Sequence, residues 1–383
     1  DLATLTGGMN AFAFDLFQQV RGDHDNLFFS PLSIHQALGM TWAGARGQTA
    51  DEMAAALHFD LPQDRLHPAA NRLDLTLSGR ADESGGCEGE GCPEGERFQL
   101  SIANRLWGQA GFGFLDAFLD TLAVNYGAGL TLLDFMAGPD AARETINAWV
   151  EEATNDRIKD LLPEGSVDGG TRLVLTNAIY FKASWQTPFA EGATADADFT
   201  LAGGEVVQAP TMQVSEGFQA HRGAGYDAVR LPYFGGQLSM ILVAPAAGEL
   251  EAFEAALTAA RFAEIRAAMT PAMLELSVPK FTFETELPLA RVLKAMGMDA
   301  AFSGAADFSG MNGTGGLQIT DVRHKAFVGV DEEGTEAAAA TAVEAAASVP
   351  TFEPMAFDRP FLFFIVDEPT DSVLFLGRVA DPR

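Results

Sequence analysis

Residues 334–350 read GTEAAAATAVEAAASVP, and the meaning of this stretch decides the fold. Eight of its seventeen residues are alanine, and within TEAAAATAVEAAA only Val343 is a sizeable apolar side chain. From Gly334 to Phe357 there is no burial pattern, which in a compact domain marks a functional or disordered segment. Alanine is the best helix former, but a helix here would have almost nothing to hold it against a core. Taken as a strand, the stretch sorts cleanly. Thr335, Ala337, Ala339, Thr341, Val343 and Ala345 share one face, all small and uncharged, while Glu336 and Glu344 share the other. Such a strand could slide between two existing strands with its glutamates left in water and no charge on its inner face.

The rest of the chain can supply a body for that strand. It has 383 residues, 48% of them hydrophobic, enough to bury a large core. The formal charge of −29, with five lysines among 24 basic residues, argues against nucleic acid, heparin-like polymers and anionic membranes as partners, since all would be repelled at long range. Solubility in high salt is another reason for such acidity. No apolar run reaches the eighteen or so residues of a membrane span. The opening DLATLTGGMN lacks the basic and apolar regions of a signal peptide, so the expectation is a soluble chain, already processed. Cys87 and Cys92 lie in ESGGCEGEGCPEGE, a Gly/Glu-rich segment that reads as a loop. Their spacing allows a local disulfide or two unpaired thiols, with a metal pair the weaker option for lack of nearby ligands. The disulfide option suggests a secreted or extracytoplasmic setting.

Helical periodicity fills the first half: MNAFAFDLFQQV, then SPLSIHQALGMTWAGA with Ser30 as a cap and Pro31 in the first turn, then TADEMAAALHF. RFQLSIANRLWGQ alternates as a strand, FLDAFLDTLAVNY reads as a helix, and AARETINAWVEEATNDRIKDLL reads as one amphipathic helix with Ile146, Trp149 and Val150 on one side. From about residue 172 the period changes to two. TRLVLTNAIYFKASW, GQLSMILVAP, AMLELSVPKFTFE and GLQITDVRHKAFVGVDEEG are strand candidates, with PLARVLKAMGM an intervening helix. RPFLFFIVDEPTDSVLFLGRVADP closes the chain as two strands around a turn. Without a repeat or a dividing linker, this pattern predicts one α+β domain over residues 1–383.

A search for catalytic or cofactor motifs finds none. The six histidines form no H-E-x-x-H, H-x-H or Cys/His zinc pattern, and there is no G-x-S-x-G elbow or phosphate loop. GMNGTGG lacks the strand-to-helix context and the lysine of a phosphate cradle, and reads as a turn before a strand. The chain is expected not to be an enzyme and to carry no metal or cofactor.

These motifs together resemble the serpin family, in order and over nearly the whole length. NLFFSPLSI and INAWVEEATNDRIKDLLP resemble its helix signatures, LTNAIYFKASWQTPF one strand of its main sheet, and VDEEGTEAAAAT the hinge of its inhibitory members. FDRPFLFFIVD and VLFLGRVADP resemble its C-terminal strands. The resemblance implies three β-sheets, eight or nine helices and an exposed reactive-centre loop, here about residues 332–358, held out of the body in a metastable state. A serine protease that attacks the loop would be caught as an acyl-enzyme while the loop enters the main sheet. The expected partner is that protease, joined covalently to a monomeric inhibitor.

Carried over residue by residue, the resemblance assigns the hinge to Gly334, Thr335, Glu336, Ala337, Ala338, Ala339, Ala340 and Thr341. It assigns the breach, the top of the main sheet where insertion starts, to Trp185, Lys280 and Glu332, the last two as a salt bridge. The shutter beneath the sheet centre falls to Ser30, Ser33, Asn177 and His324. Counting from Glu332 puts the reactive bond at Ser348–Val349; counting back from Pro360 moves it one residue on. No Lys or Arg occurs from Gly334 through Asp358, so a trypsin-like target is disfavoured, and the small residues favour elastase-like or subtilisin-like proteases. Where heparin-dependent members carry a basic helix, this chain has the acidic insert, so no glycosaminoglycan cofactor is expected. The alternative is a non-inhibitory member that serves as a storage, chaperone or carrier protein. The small residues at Thr335, Ala337 and Ala339 favour the inhibitor.

Overall fold

The computed structural model describes residues 1–80, 99–127, 129–335 and 351–383. The chain starts with α1 (Leu2–Val20), in which Leu5, Met9, Phe12, Leu16 and Val20 recur every three or four residues and are all buried. A short strand β1 (Leu27–Phe29) leads into α2 (Pro31–Trp42). Ser30 Oγ caps α2 by accepting from the Ser33 N–H at 3.1 Å, and Pro31 occupies the first turn, as its sequence predicts. All twelve residues of α2 are buried, because it lies between the two sheets described below, touching β15 on one side and β2 and β4 on the other. The further helices are α3 (Gly47–Leu57), α4 (Gln63–Ser78), α5 (Asp116–Tyr126), α6 (Pro139–Ala153), α7 (Leu250–Ala255), α8 (Ala259–Ala267), α9 (Leu289–Ala295) and α10 (Ser309–Asn312). Ten α-helices thus occur among the described residues, and the shortest is a single turn.

The long helix expected through Leu162 stops at Ala153. Thr154 Oγ1 bonds back to the Val150 carbonyl, which also keeps its helical bond from the Thr154 N–H, and accepts the Ile158 N–H in place of the Thr154 carbonyl that a continued helix would offer. Asn155 and Asp156 then adopt left-handed φ of 51° and 61°. Asn147 fixes the returning chain by bonding both backbone groups of Leu162.

Six strands form the main sheet: β2 (Gln99–Gln109), β3 (Leu130–Leu133), β4 (Leu173–Ser184), β10 (Phe281–Pro288), β11 (Val322–Val330) and β12 (Gly334–Thr335), in the order β10-β11-β12-β4-β2-β3. A second, larger set contains β1, β5 (Ala195–Thr200), β6 (Val206–Arg222), β7 (Tyr226–Pro232), β8 (Leu238–Pro245), β9 (Thr270–Pro279), β13 (Glu353–Ala356), β14 (Phe361–Asp367) and β15 (Ser372–Val379). The long strand β6 joins two parts of this set: its beginning carries β5, its middle β9, and its end β7. The α+β architecture is as predicted. Periodicity did not isolate β5, β6 and β7, whose outer faces are largely polar, nor α4, which contains Pro68.

Candidate functional site

Strands β11 and β4 run parallel and define the centre of the main sheet. In the lower half they bond to each other directly, from Val322 opposite Leu175 to Ala326 opposite Ile179. At the top they part. Gly334 and Thr335 sit between them, with Thr335 opposite both Val330 of β11 and Ala183 of β4, and Gly334 opposite Ser184. The hinge has therefore already taken the first position of an additional strand. Residues 327–329 and 180–182 have no pairing with each other.

The entry is built tightly. A turn at Asp331 reverses the chain, with the Asp331 N–H bonded to the Gly334 carbonyl and the Asp331 carboxylate accepting the Glu333 and Gly334 N–H groups. A Cβ on Gly334 would stand 2.2 Å from the Ala183 carbonyl oxygen, so only glycine fits. Thr335 points inward, is 1% exposed, and its hydroxyl lies 2.8 Å from the Tyr233 hydroxyl. The Tyr233 ring stacks on Trp185 at 4.6 Å and 11°, and Trp185 Nε1 donates to the Asp331 carbonyl at 3.0 Å. Lys280 Nζ meets Glu332 Oε2 at 2.7 Å, and Thr194 donates to the other Glu332 oxygen at 2.6 Å. Burial pushes the Glu332 carboxyl up, but the bonds from Lys280 and Thr194 outweigh it and hold the group below the ordinary glutamate value. Trp185, Lys280, Glu332, Gly334 and Thr335 are thus gathered at one end of the sheet.

The shutter residues also meet. Ser30, Ser33, Asn177 and His324 are all 1% exposed or less. The Ser30 N–H donates to His324 Nε2 at 3.1 Å, which fixes the tautomer: the Nδ1–H donates to Asn177 Oδ1. Asn177 Nδ2 donates to Ser33 Oγ and to Asn104 Oδ1, each at 2.6 Å, and Asn104 Nδ2 donates to the Ser33 carbonyl at 2.9 Å. Ser30 Oγ donates to the Leu374 carbonyl of β15, so the cluster ties the main sheet through α2 to the other sheet. A proton on His324 Nε2 would face the Ser30 N–H. Burial accordingly brings its pKa from 6.5 down to about 3, and the ring is neutral.

Sequence reasoning missed Asn104, Tyr233 and Thr194. The signal for Asn104 was present: an amide on the buried face of LSIANRLWG needs partners across the core. Tyr233 and Thr194 carry no comparable mark, since each meets its partner only through tertiary folding. Glu336, Ala337, Ala338, Ala339, Ala340 and Thr341 of the hinge, the Ser348–Val349 bond, and Cys87 and Cys92 lie outside the described residues. Among the described residues, no group of three or more His, Cys, Asp or Glu could hold a metal, and no helix is long and apolar enough to cross a membrane.

A main sheet parted at one end, with the chain's own hinge seated in the parting, defines the class. A family model described as Serpin (serine protease inhibitor) matches residues 7–382. An uncharacterized serpin-like protein of Thermococcus kodakarensis is 38% identical over 383 residues, covering 99% of this chain and 86% of that protein. The leukocyte elastase inhibitor of Bos taurus is 39% identical over 396 residues, covering 99% of both. Among solved structures, human thyroxine-binding globulin complexed with thyroxine has a TM-score of 0.87 at 29% identity, covering 100% of this chain and 99% of that one. Uncleaved ovalbumin has a TM-score of 0.87 at 27% identity, with 99% and 100% covered. The chain belongs to the serpin family.

Proposed function

We propose that this serpin is a suicide inhibitor of serine proteases with elastase-like or subtilisin-like preference for small residues, acting by acyl-enzyme trapping and insertion of its loop into the main sheet. One observation carries the reading: Thr335 is paired on both sides, with Val330 of β11 and Ala183 of β4, and Gly334 beside it is paired with Ser184 of β4. Continuing that register would bring Ala337 opposite Val328 and Phe181, Ala339 opposite Ala326 and Ile179, and Thr341 opposite His324 and Asn177. Each position suits its surroundings. Alanines would enter where the neighbours are apolar, and the one hydroxyl would arrive at the polar pair of the shutter.

About ten added ladder bonds at roughly 0.5–1.5 kcal/mol each would supply on the order of 5–15 kcal/mol. That is comparable with the whole stability of an ordinary domain, enough to drive the change once the loop is cut. A new strand of about 15 residues at roughly 3.3 Å each would carry an attached protease about 50 Å. The leukocyte elastase inhibitor at 39% identity supports a protease as the partner, and the absence of Lys and Arg from residues 334–358 supports the small-residue preference. The likeness to thyroxine-binding globulin, solved in complex with thyroxine, supports the second reading, the non-inhibitory one, in its carrier form.

Incubation with elastase and with subtilisin decides between them. The inhibitor gives an adduct that survives boiling in detergent with at least one of the two. Clean loop cleavage by both without any adduct would establish the non-inhibitory reading. Mass spectrometry of the released fragment identifies the reactive bond, expected at Ser348–Val349.

A further inference from the structure

Two buried hydroxyls face each other at the entry to the sheet and have no other hydrogen-bond partner among the described residues. Tyr233 is 1% exposed and Thr335 is 1% exposed, and their oxygens are 2.8 Å apart. Neither could be left alone there, because a buried hydroxyl without a partner is destabilising. The two members of the pair are held very differently. Tyr233 belongs to the body: its ring is clamped between Trp185 and Phe181, its N–H bonds to the Leu238 carbonyl, and the adjoining Phe234 N–H bonds to the Ser184 carbonyl of β4. Thr335 belongs to β12, two residues long, the last described position before the loop. A rigid donor-acceptor therefore holds the second residue of a strand that otherwise rests on two residues of pairing. Burial raises the phenol pKa far above its usual value, so the group stays protonated and able to donate throughout the pH range of the fold.

We infer that Tyr233 is a positioning residue for the trapping reaction: its hydroxyl docks Thr335 between β4 and β11, so that strand addition begins in register before a protease arrives. The inference rests on the proposed inhibitory function. An undocked hinge would have to find its register after acylation, while ester hydrolysis competes, and more inhibitor would be lost as cleaved product. Removing the phenol oxygen orphans the Thr335 hydroxyl only in the docked hinge, since an undocked hinge can be solvated. Replacing both partners removes the orphan again.

The test is a double-mutant cycle with Tyr233→Phe, Thr335→Val and the pair together, on the full chain. The first readout is the number of inhibitor molecules consumed per elastase or subtilisin molecule inactivated. The second is amide hydrogen exchange over residues 333–335 in the intact protein. Tyr233→Phe is expected to raise the consumption ratio roughly two- to five-fold and to speed exchange over 333–335, with the double variant returning both toward wild type. A merely structural role would lower heat resistance and leave both readouts unchanged, and that result overturns the inference, as does a double variant no better than the single ones. If the wild type forms no adduct, the inhibitory reading fails by itself, while the exchange measurement still accepts or rejects the docking role of Tyr233.

Discussion

The breach and the shutter lie on one line between β4 and β11, yet they are built on opposite plans. At the breach the strands are separated by Gly334 and Thr335, and the chemistry includes an ion pair between the part-exposed Lys280 and the buried Glu332. At the shutter the strands bond to each other, and a closed amide, hydroxyl and imidazole network runs from Asn104 through Asn177 to His324 and Ser30 without a net charge. A charged site near solvent can loosen and re-form at small cost, whereas a satisfied neutral network deep in the core has no gradual way to open. In the proposed insertion, the first end would admit a strand and the second would resist it until something replaces what it loses.

The largest expected effect breaks the resisting end. His324→Ala leaves the Ser30 N–H and Asn177 Oδ1 without partners and opens a cavity, and should cost about 3–5 kcal/mol by chemical denaturation of the intact protein. A loss below about 1 kcal/mol would mean that the network does not seal the sheet. Next comes the admitting end. Thr335→Arg forces a cation against Tyr233 in a site 1% exposed, and should convert inhibitor to substrate; an unchanged consumption ratio would count against insertion through this opening.

Acidification separates the two ends further. His324 is depressed to about 3, and His35 and His67 to about 4, so the native state binds fewer protons than the unfolded chain below pH 6.5. Their contribution is complete above pH 6.5 and is lost as the pH falls toward 4, at about 1.4 kcal/mol per histidine for each pH unit. Melting temperature measured from pH 7 to 4 should fall, and less steeply in His324→Gln. The smallest effect belongs to the ion pair. Lys280→Met removes one of two bonds to Glu332 but leaves Thr194 in place, and should cost about 1 kcal/mol by denaturation. A loss as large as that of His324→Ala would erase the distinction between the ends.

Much of this was legible in the sequence. The helices with clear three- and four-residue spacing, the apolar strands and the small-residue face of the hinge are local patterns, and local patterns survive folding. The shutter and breach assignments came through resemblance rather than spacing, since Ser30, Asn177 and His324 are separated by more than a hundred residues at each step. Asn104 could have been found as a polar residue on an apolar strand face. Tyr233 could not: a tyrosine after Pro232 looks like a strand end, and its partner is about a hundred residues away. The end of α6 was misplaced because Thr154 substitutes its own hydroxyl for a backbone partner, a choice the apolar pattern of the following residues conceals.

The four-residue reversal from Asp331 to Gly334 has a kinetic consequence. Its corner is already formed and fastened by the Asp331 carboxylate, so the ordering cost of bringing the loop base beside β11 is met in the resting molecule. In the proposed insertion, what remains is elongation along an existing hairpin, against two strands that must first let go of one another. The rate of the overall transition should then follow how fast Ala326 and Ile179 part, and substitutions at that seam should speed or slow it more than changes in the corner.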